Sequence, residues 1–245
     1  MEARLLDAGD GAVTVEFGDC IAPDLVARVG AFEAAVETAR DRGELAGVVE
    51  TMPTFRSLTV LYDPLHTRRA QIDPVLRTLL ADSGEAPPRL GRRWKLPVCY
   101  GGEFGADLDD VAAATGLTSE AVAQMHAQAE FSVYMIGFMP GFPFMGGLPP
   151  ALGVPRRREP RLRVPAGSVA ITGGLTSIYP WESPGGWQLI GRCPVRLFDA
   201  DAAMPSLLAP GDSVRFDPVP APRYAELEAA IRSGELQPSH WLEQA

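Results

Sequence analysis

The first third of the chain carries apolar residues at two alternating spacings. Ala12 to Phe17 (AVTVEF) alternates apolar and polar positions with a period of two, which predicts a strand with one buried face. From Pro23 onward Leu25, Val26, Val29, Phe32, Ala35 and Val36 recur at helical spacing, with Asp24 and Glu33 turned outward, and Gly43 and Gly47 mark the end. Val48–Met52 and Leu58–Tyr62 read as two strands around a turn containing Pro53. Arg68 to Leu80 reads as a second helix with Ile72, Val75, Leu76 and Leu79 on one face. This order predicts a ferredoxin-like split βαβ sandwich, with its last strand expected around Trp94–Tyr100.

The polar, proline-containing stretch Ser83–Gly91 predicts a linker. Beyond it, Lys95–Tyr100 reads as a strand, and Leu108–Ala114 and Ser119–Ala129 as short helices, the second with a capping signal at Thr118-Ser119-Glu120. Short strands between Gly and Pro turns follow: Phe131–Phe138, Arg163–Val164, Ser168–Ile171, Trp187–Arg192, Val195–Leu197 and Ser213–Phe216. Strands this short favour a β-barrel or sandwich over a parallel sheet. Pro222–Ile231 reads as a surface helix. The expected class is therefore α+β, with a small α/β domain over residues 1–88 and a β domain with a C-terminal helix over residues 89–245.

Charge narrows the partners. The chain has 245 residues and a net charge of −9, which disfavours nucleic acid because phosphate neutralisation needs a basic face. No apolar run approaches the roughly 18 residues of a membrane span, and MEARLLDAGDG lacks the features of a signal peptide. A cytoplasmic location and no membrane partner are expected. Cys20, Cys99 and Cys193, like His66, His126 and His240, are scattered, so neither a disulfide framework nor a bound metal is expected. Lys95 is the only lysine, and no GxxxxGK[ST] motif exists, so any phosphate contact must come from Arg or backbone N–H groups.

Four constellations in residues 131–199 are candidates for chemistry. Gly137–Gly147 (GFMPGFPFMGG) presets turns with Gly and Pro and lines them with Phe138, Phe142 and Phe144. It reads either as a corner plugged by its own aromatics or as a pocket rim around Pro140, Gly141 and Phe142. Arg156, Arg157, Arg158, Arg161 and Arg163 place five arginines within eight residues. The first three read as a solvated face. Arg161 and Arg163 alternate with Leu162 and Val164 on a strand, which would present guanidinium groups suited to carboxylate or phosphate.

Gly167-Ser168 reads as a turn whose N–H groups could form an anion nest. Ser168 lies outside any GxSxG elbow, since Ala166 and Ala170 flank it. In Tyr179–Gln188 (YPWESPGGWQ) a cis bond is possible before Pro180 or Pro184. Glu182 is a lone carboxylate there; burial would suit it to general acid/base work, and a structural tie between loops is the equal alternative. Tyr179, Gly185, Gly186 and Gln188 complete the expected wall. His126, on a helix, reads as structural. No nucleophile triad assembles from spacing.

On LPVCYGGEFGADLDDVA (96–112), YMIGFMPGFPFMGGL (134–148), PRLRVPAGSVAI (160–171), IYPWESPGGWQLIGR (178–192) and LLAPGDSVRF (207–216), the sequence resembles the family of 5-oxoprolinase B subunits, also called the allophanate hydrolase subunit 1, KipI-like or carboxyltransferase subdomain C and D family. The resemblance implies a cyclophilin-like β-barrel after the small domain and obligate companions, the C and A subunits of 5-oxoprolinase. It implies a complex that opens 5-oxo-L-proline to L-glutamate with ATP and Mg, neither assigned to this chain. Phosphorylating the stable lactam carbonyl would create a leaving group before water attacks. Under this reading Glu182 and Arg163 are the catalytic candidates. Pro140, Gly141, Phe142, Arg161, Arg163, Gly167, Ser168, Tyr179, Gly185, Gly186 and Gln188 would bind a small-molecule substrate or anion.

The family commonly has Gln or Met followed by Thr-Gly where this chain has Leu175-Thr176-Ser177, and often Thr at Cys193, which bears on substrate choice. Two alternatives accompany the resemblance: a regulator that binds and inhibits a histidine kinase, and half of a biotin-dependent carboxyltransferase of the urea or allophanate type. Lys95, in RRWKLPV, excludes the chain as its own biotin carrier.

Overall fold

The computed structural model describes residues 3–82 and 91–243, so nearly all of the expected linker lies outside the described residues. The chain divides into two compact units, residues 1–90 and 91–245.

In the first unit β1 (Arg4–Asp7) and β2 (Ala12–Glu16) form a hairpin before α1 (Pro23–Asp41). Next come β3 (Val48–Pro53), β4 (Ser57–Tyr62) and α2 (Arg69–Asp82). The antiparallel sheet runs β1-β2-β4-β3. Its alternation has a direct cause: Val13, Val15, Leu58 and Val60 point to one face, where they meet Val29, Phe32 and Val36 of α1 and Ile72 and Leu76 of α2. Phe32 is fully buried and its ring meets Phe17 edge-on at 5.5 Å. Truncating it to Ala would cost about 3–5 kcal/mol.

The expected last strand is corrected. Trp94–Tyr100 belongs to the second unit, and the sheet edge beside β2 is filled by β1. A ferredoxin-like sheet needs an antiparallel neighbour for its first strand, and the hairpin supplies one with a shorter connection than a return from α2 would need.

The second unit opens with β5 (Arg93–Tyr100), α3 (Leu108–Thr115) and α4 (Ser119–Gln128). The Thr118 side chain caps α4 as expected, accepting from Ala121 N at 3.1 Å. Then follow β6 (Phe131–Ile136), β7 (Pro143–Gly146), β8 (Arg161–Val164), β9 (Ser168–Thr172) and β10 (Leu175–Ile178). β11 (Ser183–Gly185), β12 (Gln188–Arg192), β13 (Ser213–Pro218) and α5 (Ala221–Arg232) complete it. Seven strands close a barrel in the order β10-β7-β6-β13-β5-β12-β9, the expected barrel, with β13 parallel to β5. Val195–Leu197 is not a strand; Val195 and Leu197 instead insert into the core from a loop.

β8 and β11 stand apart as a two-stranded ribbon. Its position explains why every residue of β9 is buried. Val169 and Ile171 face the barrel interior, while Ala170, on the opposite face, packs in an outer layer with Val164 of β8, Leu189, Phe142, Tyr179 and Trp187. The barrel wall thus has apolar packing on both sides, and the motif-rich segment builds the outer one.

Candidate functional site

A buried carboxylate organises the arginine-rich segment. Asp107 precedes α3 and is 1% exposed. Its side chain does not cap the helix. Its Oδ2 accepts from Leu189 N at 2.7 Å and Arg161 Nη1 at 2.8 Å; its Oδ1 accepts from Arg161 Nη2 at 2.6 Å and Arg157 Nη1 at 2.7 Å. A buried ion is tolerated only when its lone pairs are satisfied, and four charge-assisted bonds do so here. The main chain adds Asp107 N to Leu189 O at 2.8 Å and Arg157 N to Gly186 O at 2.7 Å. Together these bonds pin the arginine segment to the barrel.

The five arginines therefore divide differently from expectation. Arg157, expected on a solvated face, and Arg161, expected to face a ligand, both grip Asp107. Arg163 is exposed and lies 3.6 Å from Glu182, itself exposed. Strand alternation fails in β8, where Leu162 is 87% exposed while Val164 is fully buried. The cause is local: β8 is a short strand of a detached ribbon whose partner shifts register between Ser183 and Gly185, so no continuous sheet enforces the pleat.

The remaining candidates fall into three groups. Phe142 and Tyr179 are core residues, 1% exposed, with rings 5.1 Å apart and edge-on. Burial raises the Tyr179 phenol above its ordinary pKa. Gly185 lies so close to Tyr179 that an added Cβ would sit 2.5 Å from the phenol oxygen. Leu175 packs beside the same layer and Ser177 is buried in β10. The GFMPGF corner is thus plugged by Phe142.

The Gly167-Ser168 turn is not an anion nest. Gly167 N–H donates to Tyr179 O at 2.7 Å and Ser168 N–H to Pro165 O at 3.3 Å, so neither is available to a ligand. Ser168 is fully buried, out of reach of one. Glu182 lacks the burial on which general acid/base work would depend, and no cis peptide bond occurs among the described residues.

The third group remains at the surface. Pro140 is exposed and its carbonyl accepts from Trp181 Nε1 at 3.3 Å, with the buried Gly141 beside it in the turn. Phe138, 69% exposed, has a φ of +67°, a conformation costly for an aromatic residue. Gln188 donates Nε2 to Pro155 O at 3.1 Å and borders, with Arg156, Arg157, Arg158 and Asp110, a cleft of about 440 Å³. Gly186 serves the segment through the carbonyl that receives Arg157 N.

Sequence reasoning did not find the partners of two polar centres. Asp107 had one signal, an acidic run (DLDD) in a chain with an unexplained arginine run. The other centre is His126, fully buried as the structural histidine expected. Its Nδ1 accepts from Tyr100 OH at 2.8 Å, and its Nε2–H donates to Thr176 Oγ1 at 2.9 Å, whose own proton goes to Ala170 O at 3.1 Å. The ring stacks on Phe216 at 4.8 Å. Burial lowers its pKa from 6.5 to about 3, so it is neutral.

Residues 3–208 match the family described as carboxyltransferase domain, subdomain C and D. The chain belongs to that family. The B subunit of 5-oxoprolinase from Bacillus subtilis (strain 168) is 40% identical over 218 residues, covering 85% of this chain and 89% of that protein. Its namesake from Escherichia coli O157:H7 is 46% identical over 176 residues, covering 71% and 80%. Among solved structures, TTHA0988 superposes with a TM-score of 0.75 at 36% identity over 86% of this chain. This family member spans only 41% of the TTHA0988 chain. Among the described residues no helix is long and apolar enough to cross a membrane, and no group of three or more His, Cys, Asp or Glu side chains could hold a metal ion.

Proposed function

We propose that this chain is the B subunit of an ATP-dependent 5-oxoprolinase complex that opens 5-oxo-L-proline to L-glutamate together with an A and a C subunit. The observation that carries the reading is identity of 40–46% to proteins named as 5-oxoprolinase B subunits, over most of both lengths. The geometry supports a share in a site rather than a whole one. Ser168, the serine in the matched PAGS motif, is buried, His126 is held neutral inside the barrel, and Glu182 is exposed on the ribbon.

The Gly167 turn offers no cradle for ATP with Mg. The backbone N–H groups of the Gly167 turn are bonded internally, and a cradle for phosphates needs them free. In this reading the nucleotide belongs to a companion subunit, and this chain alone does not turn over substrate. Neither kinase inhibition nor biotin-dependent carboxyl transfer is favoured by an observation.

The test is co-production with the proteins encoded beside it, followed by an assay for ATP-dependent glutamate release from 5-oxo-L-proline. Release by the complex and none by the chain alone is expected. A properly assembled complex that binds but never turns over would end the reading.

A further inference from the structure

The cleft of about 440 Å³ is bordered by α3 and the segment from Val154 to Glu159. Arg156 and Arg158 border it, as does Asp110 of α3, and none of the three has an ion pair or hydrogen-bonded side-chain partner among the described residues. The cleft carries both signs: Arg156 and Arg158 lie along one segment, and Asp110 and Glu159 supply carboxylates to the same lining. Surface arginines are ordinarily just solvated, but three further features distinguish this pair.

First, the backbone between them is fixed. Arg157 is tied at its N–H to Gly186 O and at Nη1 to Asp107, so its two neighbours project from an anchored point rather than a loose loop. Second, Arg156 is held over the ring of buried Trp187, 5.9 Å from its centroid, which limits its freedom further. Third, the cleft mixes these charges with the exposed apolar residues Ala114 and Pro155 and with Gln188, whose Nε2 is engaged by Pro155 O and whose Oε1 is left as an acceptor. A concave site combining apolar contact with a few polar groups of both signs is the usual form of a small-molecule site.

We infer that this cleft binds a small carboxylic acid bearing an N–H near its carboxylate, of the amino-acid or lactam type. The carboxylate meets Arg156 and Arg158, whose planar guanidinium groups match its two oxygens. The N–H meets Asp110 or the Gln188 carbonyl oxygen, and the aliphatic part lies against Ala114 and Pro155. The inference rests on the 5-oxoprolinase reading for its choice of ligands, because 5-oxo-L-proline and L-glutamate both carry these groups.

Isothermal titration of the full chain with 5-oxo-L-proline, L-glutamate and 2-pyrrolidinone tests it. At least one carboxylate is expected to bind, with 2-pyrrolidinone, the same lactam without a carboxylate, about tenfold weaker or worse. The R156A/R158A variant is expected to bind that carboxylate about tenfold more weakly, consistent with loss of a charged hydrogen bond. Its melting temperature should fall by no more than a few degrees, from loss of the Arg156–Trp187 contact, and R156K/R158K should recover part of the affinity. No binding to the wild-type chain, equal binding of 2-pyrrolidinone, or unchanged affinity in the alanine variant would each overturn the inference.

The reconstituted complex separates the two ideas. Normal turnover with R156A/R158A rejects the cleft and keeps the 5-oxoprolinase reading. A wild-type complex without turnover, alongside arginine-dependent carboxylate binding by the chain, does the reverse.

Discussion

Arg161 presents two guanidinium nitrogens to the two oxygens of Asp107, at 2.6 and 2.8 Å, across a contact that excludes solvent from the carboxylate. The fork fixes orientation as well as distance, so β8 can take only one position against the barrel. Asp107→Asn keeps the shape but leaves two cations facing an amide. An expected loss of about 3 kcal/mol follows, the lower end for breaking a buried pair because the arginines keep some solvent. Urea unfolding measures it; a loss under about 1 kcal/mol would show the pair to be incidental.

Arg157 and Arg163 should behave oppositely. Arg157→Ala removes a bond to the same buried carboxylate and should cost about 1–3 kcal/mol. Arg163→Ala breaks only an exposed pair with Glu182, and its stability should stay within about 0.5 kcal/mol of wild type. Thermal unfolding of both variants distinguishes them. If R163A proves the less stable, the ribbon is held by a different set of contacts.

Gly105 approaches the barrel wall so closely that a Cβ would lie 2.1 Å from Ile190 O. That carbonyl is backbone and cannot swing away, so Gly105→Ala must displace the loop that carries Asp107. Destabilisation of about 2 kcal/mol or more is expected. Gly173→Ala is the control for space alone, because nothing lies within 4 Å of its Cβ position, although its φ of +56° adds a smaller strain.

His126 sets a pH dependence. Its folded pKa, about 3, lies below the unfolded value near 6.5, so the unfolded chain binds the extra proton between these limits. The stabilisation is complete above about pH 6.5 and declines as pH falls toward 3, by at most roughly 1.4 kcal/mol per pH unit. Unfolding free energies at pH 5.0 to 6.5 should therefore rise with pH, and His126→Gln should flatten that slope. An unchanged slope in the variant would place the effect elsewhere.

Local periodicity carried most of the fold. Val13, Val15, Leu58 and Val60 could be assigned to one sheet face because a half-buried strand repeats every two residues. β7 (PFMG), β10 (LTSI) and β11 (SPG) gave no such signal. The first two are largely buried on both faces, and β11 is a three-residue strand interrupted by a bulge. The sorting of the arginines was invisible for another reason. It depends on Asp107, which is 54 residues before Arg161 and meets it only after the barrel closes. The aromatic run at Phe142 was legible as chemistry or as packing, and only the outer layer behind it decided for packing.

The parallel seam between β5 and β13 also orders events in time. Arg92 N reaches the side chain of Asp212 across 120 residues, and the strands that follow each of them pair directly. On the ribosome, β5 emerges early and keeps both edges open until β12 and then β13 have been synthesised, whereas the hairpin pairings of the first unit are available almost at once. An unpaired edge held open through that interval is a site of misassociation. The interval before this seam closes is therefore the one in which the nascent barrel is open to misassociation.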